Sequence, residues 1–163
     1  MAGNESVIPV FLQQSILDAF RIQLSLEAQI TASLANSAAA GAATSNLDLV
    51  SIMGIKATGF VGSVALGFPK ATFLGVLESM LGEKHDDISS ENADACSELL
   101  NIVYGSARVK INEAGFDFAP GIPSTIRGKE LSLQLGQFSS FLRFTGETKY
   151  GPFLFAFSLR RSA

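Results

Sequence analysis

Cysteine and histidine are almost missing from this 163-residue chain, which has one of each, Cys96 and His85. A lone cysteine excludes an intramolecular disulfide, and one cysteine with one histidine leaves too few soft ligands for a zinc site. A reducing compartment, the cytoplasm, is the simplest expectation. Runs of lysine or arginine are also absent, and the net charge is −3, so nothing here offers the footprint that a nucleic-acid backbone demands. No basic start precedes an apolar run, since the first cationic side chain is Arg21, and no secretory signal is expected. The longest apolar stretch, Val61 to Leu77, is interrupted by Pro69 and Lys70, so no membrane span is expected either.

What the chain does have is enough apolar sequence to fold. Hydrophobic residues make up 47% and charged residues 17%, a globular balance, and the length suits one domain over residues 1–163. Pro9 suits the first turn of a helix in which Val10, Phe11, Leu17 and Phe20 recur at helical spacing to about Ser25. SAAAGAATS at 37–45 reads as a flexible connection closing an N-terminal part, 1–46. Leu47 to Phe68 is rich in Val, Ile, Leu and Gly and predicts a hairpin, with Gly59 and Gly62 marking its turn. Pro69 opens a second helix that Gly82 stops. After the polar loop GEKHDD, Ser89 or Ser90 can cap a long third helix running to about Ala114 and Gly115.

The remainder reads as strands at Phe116–Phe118, Pro123–Ile126, Leu131–Leu135, Phe141–Thr145 and Phe153–Leu159. Strands in pairs and then in a run, with helices between, predict an α+β fold: an antiparallel β-sheet with helices packed on one side. The last strand places Phe153, Phe155 and Phe157 on one face and Leu154 and Ala156 on the other, so both faces need cover, by helices and by a second subunit of a homodimer.

The third helix carries the chemistry. Asp94, Glu98, Asn101 and Gly105 follow one another at offsets of four, three and four. At about 100° per residue, with Asp94 at zero, the other three fall near 40°, 340° and 20°, a band about 60° wide. Cys96, Leu99, Leu100, Val103, Ala107 and Ile111 lie at about 140° to 260° on the same wheel, so the polar stripe points away from the core. A glycine within a helix costs about 1 kcal/mol relative to alanine, so Gly105 suggests a partner approaching the backbone closely. Solvated residues on an outer helix face would produce the same stripe, and ExxN alone is a weak motif; the acid four residues before it and the glycine four after it add weight.

DACSELLNIVYG matches the [D/S]xxxExxNxxxG signature of the CheC/CheX/FliY family of chemotaxis phosphatases throughout. GFVGSVALGFPKATFLGVLESMLGE before it and PSTIRGKEL after it resemble the flanking elements of CheX-type members, and the resemblance spans about Gly54 to Arg161. One ExxN motif is present, which resembles CheX rather than the two-site CheC arrangement. The resemblance implies a phosphatase that hydrolyses the aspartyl phosphate of a phosphorylated CheY-like response regulator. Glu98 would pair with the receiver's active-site lysine and Asn101 would orient the attacking water. Asp94 and Gly105 would contact the partner. It also implies a homodimer, and a Mg2+ ion held by the receiver, with no cofactor or metal on this chain.

Three readings stand at this point: a response-regulator phosphatase, a non-catalytic phosphorylation-dependent docking or scaffold module, and a structural dimerisation domain. Among the other reactive side chains, His85 reads as a loop residue, Cys96 as a small buried hydrophobe, and Asp86 with Asp87 as a solvated turn.

Overall fold

The apolar run after residue 46 folds back on itself at Thr58–Gly59, with Gly59 at a φ of 81° and Ala57 paired to Phe60 across the turn. A two-residue hairpin loop needs positive φ to match the twist of its strands, which glycine provides without steric penalty. The computed structural model describes residues 5–34, 46–133 and 140–162, so the connection expected at 37–45 lies outside the described residues. In chain order the elements are α1 (Val7–Leu24), β1 (Gln29–Leu34), β2 (Leu47–Ala57), β3 (Phe60–Phe68), α2 (Lys70–Leu81), α3 (Asp94–Glu113), β4 (Ser124–Leu131), β5 (Ser140–Thr148) and β6 (Gly151–Arg161). The strands form one six-stranded sheet in the order β1-β5-β6-β3-β2-β4, and every neighbouring pair is antiparallel.

Alternation along the strands sends one set of side chains to the helices. Leu49, Met53 and Ile55 of β2, Phe60, Val64, Leu66 and Phe68 of β3, and Phe153, Phe155 and Phe157 of β6 join the buried faces of α1, α2 and α3 in one core. Each large side chain buried this fully contributes about 1.5–3 kcal/mol. Phe20 of α1 stacks on Phe153 with ring centroids 4.5 Å apart. The α+β class with helices on one side of an antiparallel sheet is therefore what the chain adopts.

The opposite face of the sheet buries Leu47, Val50, Ala65 and Leu154, against which Leu131 and Leu133 pack. On this side of β6, Leu154 and Ala156 are buried within the chain itself. Several local expectations are corrected. Gly62 lies inside β3, opposite Leu159, where a Cβ would collide with the carbonyl of Ser158; it marks a close strand approach, not a turn. The buried face of α1 is Ile8, Leu12, Ile16, Ala19 and Phe20, whereas Val10 is exposed. β1, paired with β5, was not anticipated. Phe116–Phe118 is irregular and fixed by side chains of α3, and the strand expected from Leu131 is the end of β4, with 134–135 outside the described residues.

Candidate functional site

The start of α3 is built by the turn before it. Ser89 and Asn92 exchange hydrogen bonds: the Asn92 N–H donates to Ser89 Oγ (3.1 Å) and the Ser89 N–H to Asn92 Oδ1 (2.8 Å). The Asn92 amide also donates to the carbonyl of Asp87 (2.9 Å). Ser89 therefore caps a turn that leads into the helix, which itself begins at Asp94, where a carboxylate favours the positive end of the helix dipole. At the other end Asn112 clamps residue 118, accepting its N–H at 2.8 Å and donating to its carbonyl at 3.0 Å. Between these anchors Cys96, Leu99, Leu100, Val103, Ala107 and Ile111 are all buried in the core.

Rotation of α3 about its axis is set by a junction of three hydroxyls. Ser51, fully buried on β2, lies 3.0 Å from Ser97 on α3 and 3.0 Å from Thr125 on β4, and Ser97 and Thr125 are hydrogen-bonded to each other. Ser51 and Thr125 face one another in the β2–β4 register. Sequence reasoning missed this junction. Its signal was a serine at 51 among the inward-facing Leu49, Met53 and Ile55, a polar group that needs a partner once buried.

With the helix so held, Asp94, Glu98 and Asn101 are exposed on the face away from the core, and Gly105 is half-buried. Among the described residues, the side chains of Glu98 and Asn101 have no hydrogen-bond or ion-pair partner. Among the described residues, nothing beyond the helix's own backbone lies within 4 Å of where a Cβ on Gly105 would stand, so none of them requires glycine there. The arrangement presents one acceptor-only carboxylate and, a helical turn away, one amide able both to donate and to accept. Neither is spent on the fold.

The remaining reactive groups are elsewhere. Burial pushes the Cys96 thiol up to about 12, and its sulfur lies 3.6 Å from the carbonyl of Leu66, so it is a packed, protonated side chain. Burial also pushes Tyr104 up to about 12, while its hydroxyl donates to the carbonyl of Ala119 at 2.9 Å. His85 lines a cleft with Ala71, Leu74, Glu78 and Tyr150, none of them from α3. Asp87 is exposed and pairs with Lys70 at 3.0 Å, and the hydrogen bond from Lys70 holds it below the ordinary carboxylate value. Among the described residues no three His, Cys, Asp or Glu side chains are grouped to hold a metal ion, and no helix is long and apolar enough to cross a membrane.

Comparison with known proteins bears on both fold and stripe. The family model described as chemotaxis phosphatase CheX matches residues 49–145, a span that includes all of α3. No curated protein matches the chain. A CheC-like superfamily protein from Shewanella sp. PV-4 superposes with a TM-score of 0.85 at 21% identity, covering 96% of this chain and 99% of its own. The chemotaxis protein CheX from Vibrio vulnificus gives 0.83 at 20% identity, covering 94% and 99%. A CheX–CheY–BeF3–Mg2+ complex from Borrelia burgdorferi gives 0.72 at 18% identity, covering 94% and 98%. At these identities the likeness is one of fold.

Proposed function

From the premise that the chain belongs to the chemotaxis phosphatase CheX family, we propose that it dephosphorylates a CheY-like response regulator by hydrolysing the regulator's aspartyl phosphate. The observation that carries this is the pair Glu98 and Asn101, exposed and, among the described residues, without side-chain partners, on a helix whose ends and rotation are fixed. A solvated outer face accounts for their exposure, but it gives no reason for Gly105 beside them or for the family match across the helix.

In the proposed reaction Glu98 enters the receiver's active site and pairs with its lysine. Asn101 holds a water in line with the phosphorus, accepting a water proton on its carbonyl oxygen while its NH2 group donates to the surrounding oxygens. The water oxygen attacks phosphorus, the bond between phosphorus and the aspartyl oxygen breaks, and inorganic phosphate leaves with the receiver's carboxylate restored. No bond to this chain forms. Phosphoryl transfer is catalysed mainly by positioning and charge stabilisation, so two fixed side chains suffice when the metal and the phosphate are the partner's. The Mg2+ ion is assigned to the receiver, in keeping with the ion present in the Borrelia burgdorferi complex.

Asp94 and Gly105 complete the contact, the first at the helix start and the second by letting the partner's surface reach the backbone. A homodimer acting in the cytoplasm, in chemotaxis or a related two-component pathway, is part of the same proposal. Its test is the loss of phosphate from acetyl-phosphate-labelled CheY-like receivers of the same organism: acceleration by the wild-type protein supports an enzyme, and binding without acceleration would make the chain a docking module.

A further inference from the structure

Two aliphatic side chains left in water flank the polar stripe of α3. Val109 is 53% exposed and Ile122 is 89% exposed, the most exposed large hydrophobic side chain among the described residues. On the helical wheel Val109 falls about 40° from Gly105, one turn further along the same stripe. Ile122 belongs to the segment that follows α3, and the contacts at its two ends locate it. Tyr104 holds the carbonyl of Ala119 and Ser97 is bonded to Thr125, so residues 119–125 run back beside α3 from the level of Tyr104 to that of Ser97. Ile122 lies between these two anchors.

This segment is also stiff. Pro120 and Pro123 fix the backbone on either side, and the Ala119 N–H donates to the carbonyl of Lys56 at 2.9 Å. Gly121 presses so closely on β2 that a Cβ would stand 2.5 Å from Met53 Cγ and 2.8 Å from the carbonyl oxygen of Gly54. Scattered exposed aliphatics are ordinary on any protein surface. A rigidly held isoleucine on the segment anchored to the motif helix is different, because burying it on a partner requires no further ordering of its loop.

We infer that the docking surface for the receiver extends from Glu98 and Asn101 onto Val109 and Ile122, and therefore fits a receiver whose docking face carries apolar side chains beyond its active-site lysine. The inference rests on the phosphatase reading above. A stable protein interface buries about 800 Å² on each side, more than a stripe of four helical residues offers, so the adjoining surface must contribute. Val109 and Ile122 are its apolar members. Val109 lies eleven residues after Glu98, so the receiver's apolar contact there should lie about 16 Å from its lysine.

The test measures dephosphorylation kinetics, and binding to the BeF3-activated receiver, for the wild type and for Ile122→Ser, Val109→Ser and Val10→Ser. Val10 is equally exposed but lies on α1. The inference expects KM and Kd to rise together by about tenfold in each of the first two variants, with kcat at saturation within about twofold and thermal melting unchanged, and no effect from Val10→Ser. Wild-type acceleration with a Kd unaltered in the double variant Val109→Ser/Ile122→Ser would overturn the extended surface and leave the phosphatase reading standing. A wild type that neither binds nor dephosphorylates any receiver would overturn both.

Discussion

Ser97 of the motif helix and Ser51 of the second strand share a hydrogen bond of 3.0 Å, made one residue before Glu98. Through Ser51 and Thr125 the helix is tied to two strands at once, so the direction in which Glu98 and Asn101 point is coupled to the sheet. Ser51→Ala removes the hydroxyl shared by the other two and should destabilise the protein by about 1–2 kcal/mol, read as a lower denaturant midpoint. Its effect on kcat should exceed its effect on receiver affinity, since misplacing an amide by a fraction of an ångström disturbs an in-line water more than a broad contact.

Gly105 offers a separation of stability from docking. Open space surrounds the position, and alanine is the better helix former, so Gly105→Ala should stabilise the fold by about 0.5–1 kcal/mol in thermal or urea melts. The same variant should bind the receiver more weakly, because the added methyl stands where the partner's surface approaches. Equal or tighter binding would remove the partner-based explanation for the glycine.

Cys96 supplies a prediction on the alkaline side. Its thiol is raised from an ordinary value of 9.0 to about 12 by burial, so the folded state favours the protonated form. The resulting stability is fully present below pH 9.0 and is lost as pH rises from there toward 12, where the unfolded chain gains a thiolate that the folded chain resists. Native protein at neutral pH should leave the thiol unmodified by a water-soluble disulfide reagent, with reaction following unfolding. Fast labelling of the native protein would contradict this burial.

On the acid side the informative group is Asp117, which receives hydrogen bonds from the hydroxyl and the backbone N–H of Thr58. Those bonds, the hydroxyl's first, hold its carboxyl below the ordinary 3.8. A lowered folded value means stability that is present above 3.8 and is lost as pH falls through the folded value. Asp117→Asn should therefore flatten the fall of melting temperature with acidification below about pH 4. An unchanged acid profile would show that the turn holds without the charge.

The parts legible in the sequence were those with a local cause. Helical spacing alone put Asp94, Glu98, Asn101 and Gly105 on one side of α3 and its apolar residues on the other, and Pro69 and Gly82 bracketed α2 as found, with Gly82 at a φ of 71°. Positions decided by distant neighbours were not legible. Gly62 resembled a turn residue, but its cause is the Ser158 carbonyl, nearly a hundred residues along the chain. β1 is a short, half-polar segment whose strand character comes from pairing with β5. For the site, the sequence indicated which side chains face outward, while the hydroxyl junction beneath them and the Ile122 segment beside them needed β2, β4 and α3 to be assembled.

The most direct test of the central claim is a single-turnover measurement of phosphate loss from a labelled CheY-like receiver at saturating protein, comparing wild type with Asn101→Ala, alongside the affinity of each for the BeF3-activated receiver. Asn101→Ala should bind within about threefold of wild type and lose at least about a hundredfold in the dephosphorylation rate, because the amide positions the water and contributes little to docking. A variant that binds as well as wild type and turns over as fast would contradict that claim.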